Sequence, residues 1–294
     1  MFPFSSGTLS QLLVGLSRTT ILFIVSSGLT LILGVLRIPN LAHGSMYMIG
    51  AFAAYTAIRF LGEGVFAFGA SMIIAPLFVA AIGLGMERGF FSYLYEREHL
   101  MLLLLTFAFM LILGDLVKIV WGPEYRSVTV PGFFQGSAEI FGLPIPRYNL
   151  FLLLLGPFIA VFLWVVIHKT KMGKVARAAA VDREMVSAVG INVGRVFAFT
   201  FVLGCFLAGM GGALIAPMVN ISLGMDHSLI MEAFLIVIMG GLGNLWGALL
   251  GSLVFGLTQS LGILVWPQFG IVFPYLAVVA VLVFRPKGLL RSTW

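Results

Sequence analysis

The chain has 294 residues, of which 61% are hydrophobic and 10% charged, with a formal net charge of +6 and a mean hydropathy of +1.11. Ordinary soluble domains run nearer roughly 45–50% apolar and about 25% charged, so a water-soluble globular fold is excluded and a polytopic membrane protein is required. The apolar runs are continuous, as in "LFIVSSGLTLIL" and "FLLLLGPFIAVFLWVVI", rather than alternating as in a porin-like barrel, and the spans are therefore read as helices.

In chain order, the N-terminal "MFPFSSGTLSQLL" carries no Lys or Arg before Arg18 and no small-residue cleavage signature, and is expected to stay uncleaved. Windows long enough for a hydrocarbon core of roughly 30 Å place spans at Leu9–Leu36, Ser45–Phe60, Val65–Met86, Leu100–Val120, Tyr148–Ile167, Val196–Pro217, Ser228–Met239, Leu245–Leu264 and Gly270–Phe284. The expected fold class is an all-α polytopic membrane protein of about eight to ten transmembrane helices, with two interrupted segments and a possible inverted repeat. Residues 1–294 form a single transmembrane domain, with an outer loop at about 121–147 and a cytoplasmic segment at about 169–195.

The first interruption follows the first span, in "GVLRIPNLAHGSMYMIGAF". Pro39 removes an N–H and disfavours helix at Ile38, and Gly44 permits close approach of another backbone. Lipid tolerates irregular backbone only against protein or a wet cavity. Asn40, His43 and Gly44 are therefore candidates for a solute pathway. A second interruption, "FLIVIMGGLGNLWGALLGSLVFG", sets Gly240, Gly241, Gly243 and Asn244 between a short and a longer apolar segment. Paired breaks in two halves of a chain point to a transporter's central region. The alternative is a tight cytoplasmic turn at either place, with Asn40 and His43 only capping a helix and Gly243, Gly247 and Gly251 only packing helices. His43 has no second ligand at metal spacing, so no metal site is expected.

Charged residues in or near the spans are few. Arg18 must face protein, water or the interface. Asp115 and Lys118 lie one helical turn apart and are expected to pair. Asp226-His227 reads as a helix cap or an outer contact. Glu232, one turn into the seventh span, is either a buried structural partner or a cavity-lining residue. The single Cys205 excludes a disulfide framework.

Three connections hold most cations: "ERGFFSYLYEREH", "HKTKMGKVARAAAVDREMVSAVGINVGR" and the tail "RPKGLLRSTW". Putting these in the cytoplasm leaves only Arg59, Arg126 and Arg147 outside, which satisfies the positive-inside rule. This distribution makes the charge a matter of topology rather than of nucleic-acid binding. It places the C-terminus inside and, with an odd number of crossings, the N-terminus outside. The long inner connection predicts a helix over Val175–Val189, ended by Gly190, with Ala176, Ala179, Val186 and Val189 on one face. Tied to membrane helices at both ends, it is a natural lever.

That connection resembles the cytoplasmic coupling loop of ATP-binding-cassette (ABC) importer permeases. Glu184 and Gly190 keep the Glu and Gly spacing of that loop, while Met185 and Val186 replace its two alanines. Taken with "GLTLILGVLRIPNLAHGSMYMIGAF" and "EAFLIVIMGGLGNLWGALLGSLVFGL", in that order, the chain resembles branched-chain amino-acid importer permeases from about Leu12 to Pro286. Asn-Leu-Ala-His-Gly stands where that family has Asn-Phe-Ala-His-Gly, with Leu41 in the Phe position.

The resemblance implies a permease subunit, not an enzyme, with Arg177, Asp182, Arg183, Glu184 and Gly190 engaging an ATPase. It implies a second permease subunit, two cytoplasmic ATPase subunits, an extracytoplasmic solute-binding protein and the lipid of a bacterial inner membrane as partners. No cofactor is expected on this chain; it has no G-x-x-x-x-G-K-[ST] loop, and ATP and Mg belong to the partners. Branched-chain or other hydrophobic amino acids are the expected cargo, and urea or short amides the alternative within that family. An ion-gradient-driven transporter or channel is the rival class, with Glu232, Asp115 and His43 as proton carriers. An intramembrane enzyme would need converging catalytic groups, and none stands at usable spacing.

Overall fold

The computed structural model describes residues 6–62, 64–95, 97–140 and 143–290. The first five residues of the N-terminal reading and Arg291 of the basic tail lie outside them. All nine expected apolar segments are helical: α1 (Ser6–Leu36), α2 (Ala42–Leu61), α3 (Val65–Met86), α5 (His99–Trp121), α6 (Arg147–Lys169), α9 (Val193–Ile215), α10 (Met225–Gly240), α11 (Leu245–Val265) and α12 (Val272–Phe284). α3 runs on through a π-helical turn, Glu87–Phe91, into the short α4 (Ser92–Leu94). α7 (Lys171–Val181) and α8 (Arg183–Ala188) lie between α6 and α9.

Among the described residues six helices, counting α3–α4 as one, are long and apolar enough by themselves to cross a membrane. The others fall short for physical reasons. α10 and α12, with 16 and 13 residues, extend only about 24 and 20 Å at 1.5 Å per residue. In α2 every residue from Ala42 to Ala54 is buried, because α9, α3, α5 and α10 pack around it. A helix wrapped in protein can carry His43, Ser45 and Tyr47 without facing lipid. α5 is the opposite case. Leu102, Thr106, Leu113 and Val117 turn inward at helical spacing, while Leu104, Leu111, Ile112, Leu116 and Ile119 face outward. Asp115 and Lys118 stand on this outward side and are both exposed. The pairing expected of them is corrected: among the described residues no ion pair joins them.

α1 is the central post, packed by α11, α9, α6 and α10. Small residues bring the neighbours close: a Cβ on Gly15 would lie 2.6 Å from Ser260 Oγ, and Gly256 meets the Thr19 side chain. These contacts run α11 antiparallel to α1, so the Leu245 end of α11 lies toward the Leu36 end of α1. On that same side the tail docks, with Leu289 N–H donating to the Met239 carbonyl (2.8 Å) and Leu290 N–H to that of Gly240 (3.1 Å). The outer connection adds an antiparallel hairpin of β1 (Ser137–Ile140) and β2 (Leu143–Pro146). It is held to the loop after α9 by the Arg126–Ile221 backbone bridge.

Candidate functional site

The first interruption lies at the depth of a neighbouring span. The Pro39 carbonyl accepts from Thr106 Oγ1 (3.2 Å), and Ser45 Oγ donates to the Met110 carbonyl (3.3 Å). Thr106 lies seven residues into α5, about 10 Å along the helix. The chain thus breaks inside the bundle and is covered by protein: Asn40, His43 and Ser45 are fully buried. His43 Nε2 is 3.0 Å from the Val25 carbonyl. Among the described residues, neither amide atom of Asn40, nor Nδ1 of His43, has a hydrogen-bond partner. Gly44 is where α2 crosses α10, since a Cβ there would sit 2.6 Å from the Asp226 carbonyl oxygen. Asp226 stands in the first turn of α10, behind a left-handed Gly224 at the cap position. It does not cap that helix; its carboxylate accepts from Ser45 Oγ at 3.1 Å and ties α10 to α2.

A cavity of about 620 Å³ opens beside this crossing, lined by α1, α2, α10 and the loop joining α9 to α10. Arg18 and Glu232 stand on its wall, with one guanidinium nitrogen 3.1 and 3.3 Å from the two carboxylate oxygens. Arg18 is thus paired with protein while its side chain is 42% exposed and that of Glu232 14%. Glu232 combines the two roles the sequence left open, being a partner that also lines a cavity. Of the other pathway candidates, Asn40, His43, Gly44, Gly240, Gly241, Gly243 and Asn244 are not among its lining residues.

The second interruption is a turn between α10 and α11. Gly241 and Gly243 adopt φ of 105° and 79°, which side-chain-bearing residues resist. Gly240 and Gly247 meet backbone to backbone, which brings the short and long segments together. Asn244 caps α11, its Oδ1 accepting from Gly247 N–H at 3.0 Å. Asn244→Ala is expected to lower stability by about 1 kcal/mol, read as a drop in the thermal midpoint of the detergent-purified protein.

At the cytoplasmic connection, the single helix expected over Val175–Val189 is corrected to two. Asp182 takes an extended conformation (φ −145°, ψ 100°) and its carboxylate accepts from Met185 N–H at 2.9 Å, which ends α7 and caps α8. The change of axis removes Val189 from the expected face: Ala176, Ala179 and Val186 are buried, but Val189 is 71% exposed. Gly190 ends α8 at φ 81° as expected. Asp182, Arg183, Glu184 and Gly190 all face outward. Arg177 departs from them and is half-buried in a crevice with Leu31, Val35 and Phe199. Arg37, just before the first break, donates to the Ala180 carbonyl at 2.9 Å. It links the end of α7 to the first break. An arginine two residues before a break-making proline was the available signal.

The family model described as "Branched-chain amino acid transport system / permease component" matches residues 11–283. The chain is 29% identical over 297 residues to BraD of Pseudomonas aeruginosa, named a high-affinity branched-chain amino acid transport system permease protein, covering 96% of this chain and 95% of that one. It is 27% identical over 296 residues to LivH of Escherichia coli K12, which bears the same description, with the same coverage. Among solved structures, PsaBC from Streptococcus pneumoniae in complex with Fab aligns over 92% of this chain and 88% of that one, with 13% identity and a TM-score of 0.47.

Proposed function

The chain belongs to the branched-chain amino acid transport system permease family, and from that premise we propose that it is the membrane subunit of an ATP-driven importer that carries branched-chain or similar hydrophobic amino acids into the cytoplasm. The observation that carries the ATP-driven part is the surface of α8. Around the α7–α8 corner, Val181 at the end of α7, Met185 within α8 and Val189 just past it are 67%, 63% and 71% exposed. Charged Asp182, Arg183 and Glu184 surround them. Exposed apolar side chains interspersed with charge at this corner fit the footprint of a protein partner. Behind it, α7 packs on α1, α6 and α9, so force on α8 reaches the spans.

In this reading two ATPase subunits seat beneath α8 and a second copy of the same corner on a partner permease. ATP and Mg bind to them, since this chain lacks the phosphate loop. A solute-binding protein delivers cargo to the face carrying the hairpin and the α9–α10 loop. The assembly sits in a bacterial cytoplasmic membrane with the C-terminus inside, beside the cationic α7–α8 segment. The 620 Å³ cavity serves as this chain's share of the outer vestibule, and the buried break at Pro39–Gly44 as the flexible floor beneath it.

The test is reconstitution in proteoliposomes. The chain with its permease partner, ATPases and loaded binding protein is expected to accumulate leucine only when ATP is present inside the cytoplasmic compartment. Accumulation by this chain alone under a pH gradient would replace the importer with an ion-driven transporter.

A further inference from the structure

We propose that Arg18 and Glu232 form a weak binding site for the charged head of an α-amino acid, with the guanidinium taking the carboxylate and the carboxylate taking the ammonium. The inference rests on the importer reading and names what passes this point. Among the residues that line the cavity, these two alone are charged. The others near them are neutral polar (Tyr47, Asn220, Ser228) or aliphatic (Ile21, Leu22, Leu229). Two opposite charges beside an aliphatic wall complement a zwitterion that carries an aliphatic side chain. At about 620 Å³ the space falls within the roughly 300–1,000 Å³ usual for small-ligand sites.

A purely structural tie is the poorer account. Ionised groups at membrane depth are expensive and by default functional, and a buried ion pair between helices is a weak stabiliser. A pair placed only to join α1 and α10 has no need to face a cavity, yet Arg18 lines one and is 42% exposed within the chain. The existing bond also fixes the energetics of capture. When a zwitterion enters, the Arg18–Glu232 pair separates and each charge exchanges its protein partner for a ligand partner of the same sign. One protein ion pair is lost and two form with the ligand, whose charged head must be desolvated in turn, so net affinity stays low, as a transport path requires. A solute lacking either charge leaves one protein ion unpaired and is rejected.

The experiment uses the assembled permease–ATPase complex in detergent with a cysteine introduced by Ser228→Cys on the cavity wall; the native Cys205 is buried. Millimolar leucine is expected to slow labelling of that cysteine by a charged thiol reagent, whereas isoamylamine and 4-methylpentanoate are not. Protection is expected to vanish in Arg18→Gln and in Glu232→Gln. In proteoliposomes both variants are expected to lose at least ~tenfold in uptake at saturating loaded binding protein, with its half-saturating concentration unchanged. The swap Arg18→Glu with Glu232→Arg, which keeps the tie, is expected not to restore uptake.

Protection by all three compounds or by none, or protection surviving in the glutamine variants, overturns the proposal, as does full rescue by the swap. If the swap fails to assemble, Arg18→Lys and Glu232→Asp decide. Uptake kept within about threefold supports charge recognition; loss equal to that of the glutamines, in step with a lowered thermal midpoint, leaves only a tie. Wild-type complex that moves no amino acid at all defeats the importer reading instead, and is distinguished by the absence of uptake before any substitution.

Discussion

Met185→Glu is expected to abolish ATP-driven uptake while leaving membrane insertion and the thermal midpoint of the isolated permease unchanged. The side chain is 63% exposed, between exposed Val181 and Val189 along the chain. A carboxylate introduced into the apolar core of an interface must be desolvated without a partner, at several kcal/mol, and central apolar anchors dominate such interfaces. A loss of about 3 kcal/mol corresponds to more than ~100-fold weaker docking. Glu184→Ala, on the charged rim, is expected to weaken docking by less than tenfold. Gly190→Ala acts differently, because φ 81° strains any residue with a Cβ and so misdirects the end of α8. The readout is co-purification of the ATPase subunit with tagged permease, alongside ATPase rate and uptake. Normal co-purification with Met185→Glu would remove α8 as the docking element.

In the proposed importer, mechanical continuity behind α8 would carry a push on this surface to the spans. Asp182 separates α8 from α7, so the two move as linked segments. Arg37 then joins the Ala180 carbonyl at the end of α7 to the chain just before Pro39. Pro39 is itself held by Thr106 of α5, and four residues later His43 bonds back to α1 at Val25. Displacement of α7 therefore arrives at the one place where α1 and α2 are not locked by continuous helical hydrogen bonding. From there α2 carries Tyr47 to the cavity wall and Ser45 to Asp226 on α10.

Much of this frame was legible because lipid imposes a strict demand. α5 and α6 must present uninterrupted apolar residues to the membrane, so their limits read within one or two residues of Leu100–Val120 and Tyr148–Ile167. The breaks were legible for the converse reason: Pro39 beside polar Asn40 and His43, and clustered glycines beside Asn244, interrupt the apolar run, which a lone proline such as Pro157 of α6 does not. What could not be read involves partners distant in sequence or a local change of axis. Arg18 and Glu232 are 214 positions apart, and no periodicity connects them. Asp182 stands inside an Ala-rich amphipathic pattern that favours one helix, and only its cap to Met185 reveals the corner. Asp115 and Lys118 had the right spacing to pair, but spacing does not fix where the side chains turn, and both are exposed with no ion pair between them among the described residues. The hairpin over Leu143–Pro146 was hidden by its two prolines, which sheet edges tolerate.

Gly212→Val is expected to destroy the folded permease altogether. Gly212 on α9 lies directly against the Tyr47 carbonyl of α2, and even a bare Cβ would be 2.8 Å from Ala51 N. The neighbours are helical backbone, which cannot rotate aside as a side-chain tip can. One turn toward the N-terminus of α9, Gly209 meets Gly50 on α2 in the same backbone contact, with a built Cβ at 2.6 Å from Gly209 Cα. The α2–α9 seam is therefore set by glycines, as close helix pairs in membranes are. Valine's branched carbons must push α2 off α9, opening the packing around Tyr47, Ala51 and Phe52 along most of their length. Overpacking of this kind costs about 1–3 kcal/mol where side chains yield and more where only backbone is available.

The displaced α2 would take Ser45 from Asp226 and Tyr47 from the cavity, so any surviving fold is expected to be inactive. Gly85→Ala supplies the contrast, since Gly85 is exposed on α3 and nothing lies within 4 Å of its added Cβ. Helix propensity alone makes that change neutral or stabilising by up to about 1 kcal/mol. Size-exclusion profiles and thermal midpoints of the two variants decide the matter. A monodisperse Gly212→Val with a native midpoint would mean that α2 and α9 do not meet at this seam, and with them would go the buried course of the first break and the wall it gives the cavity.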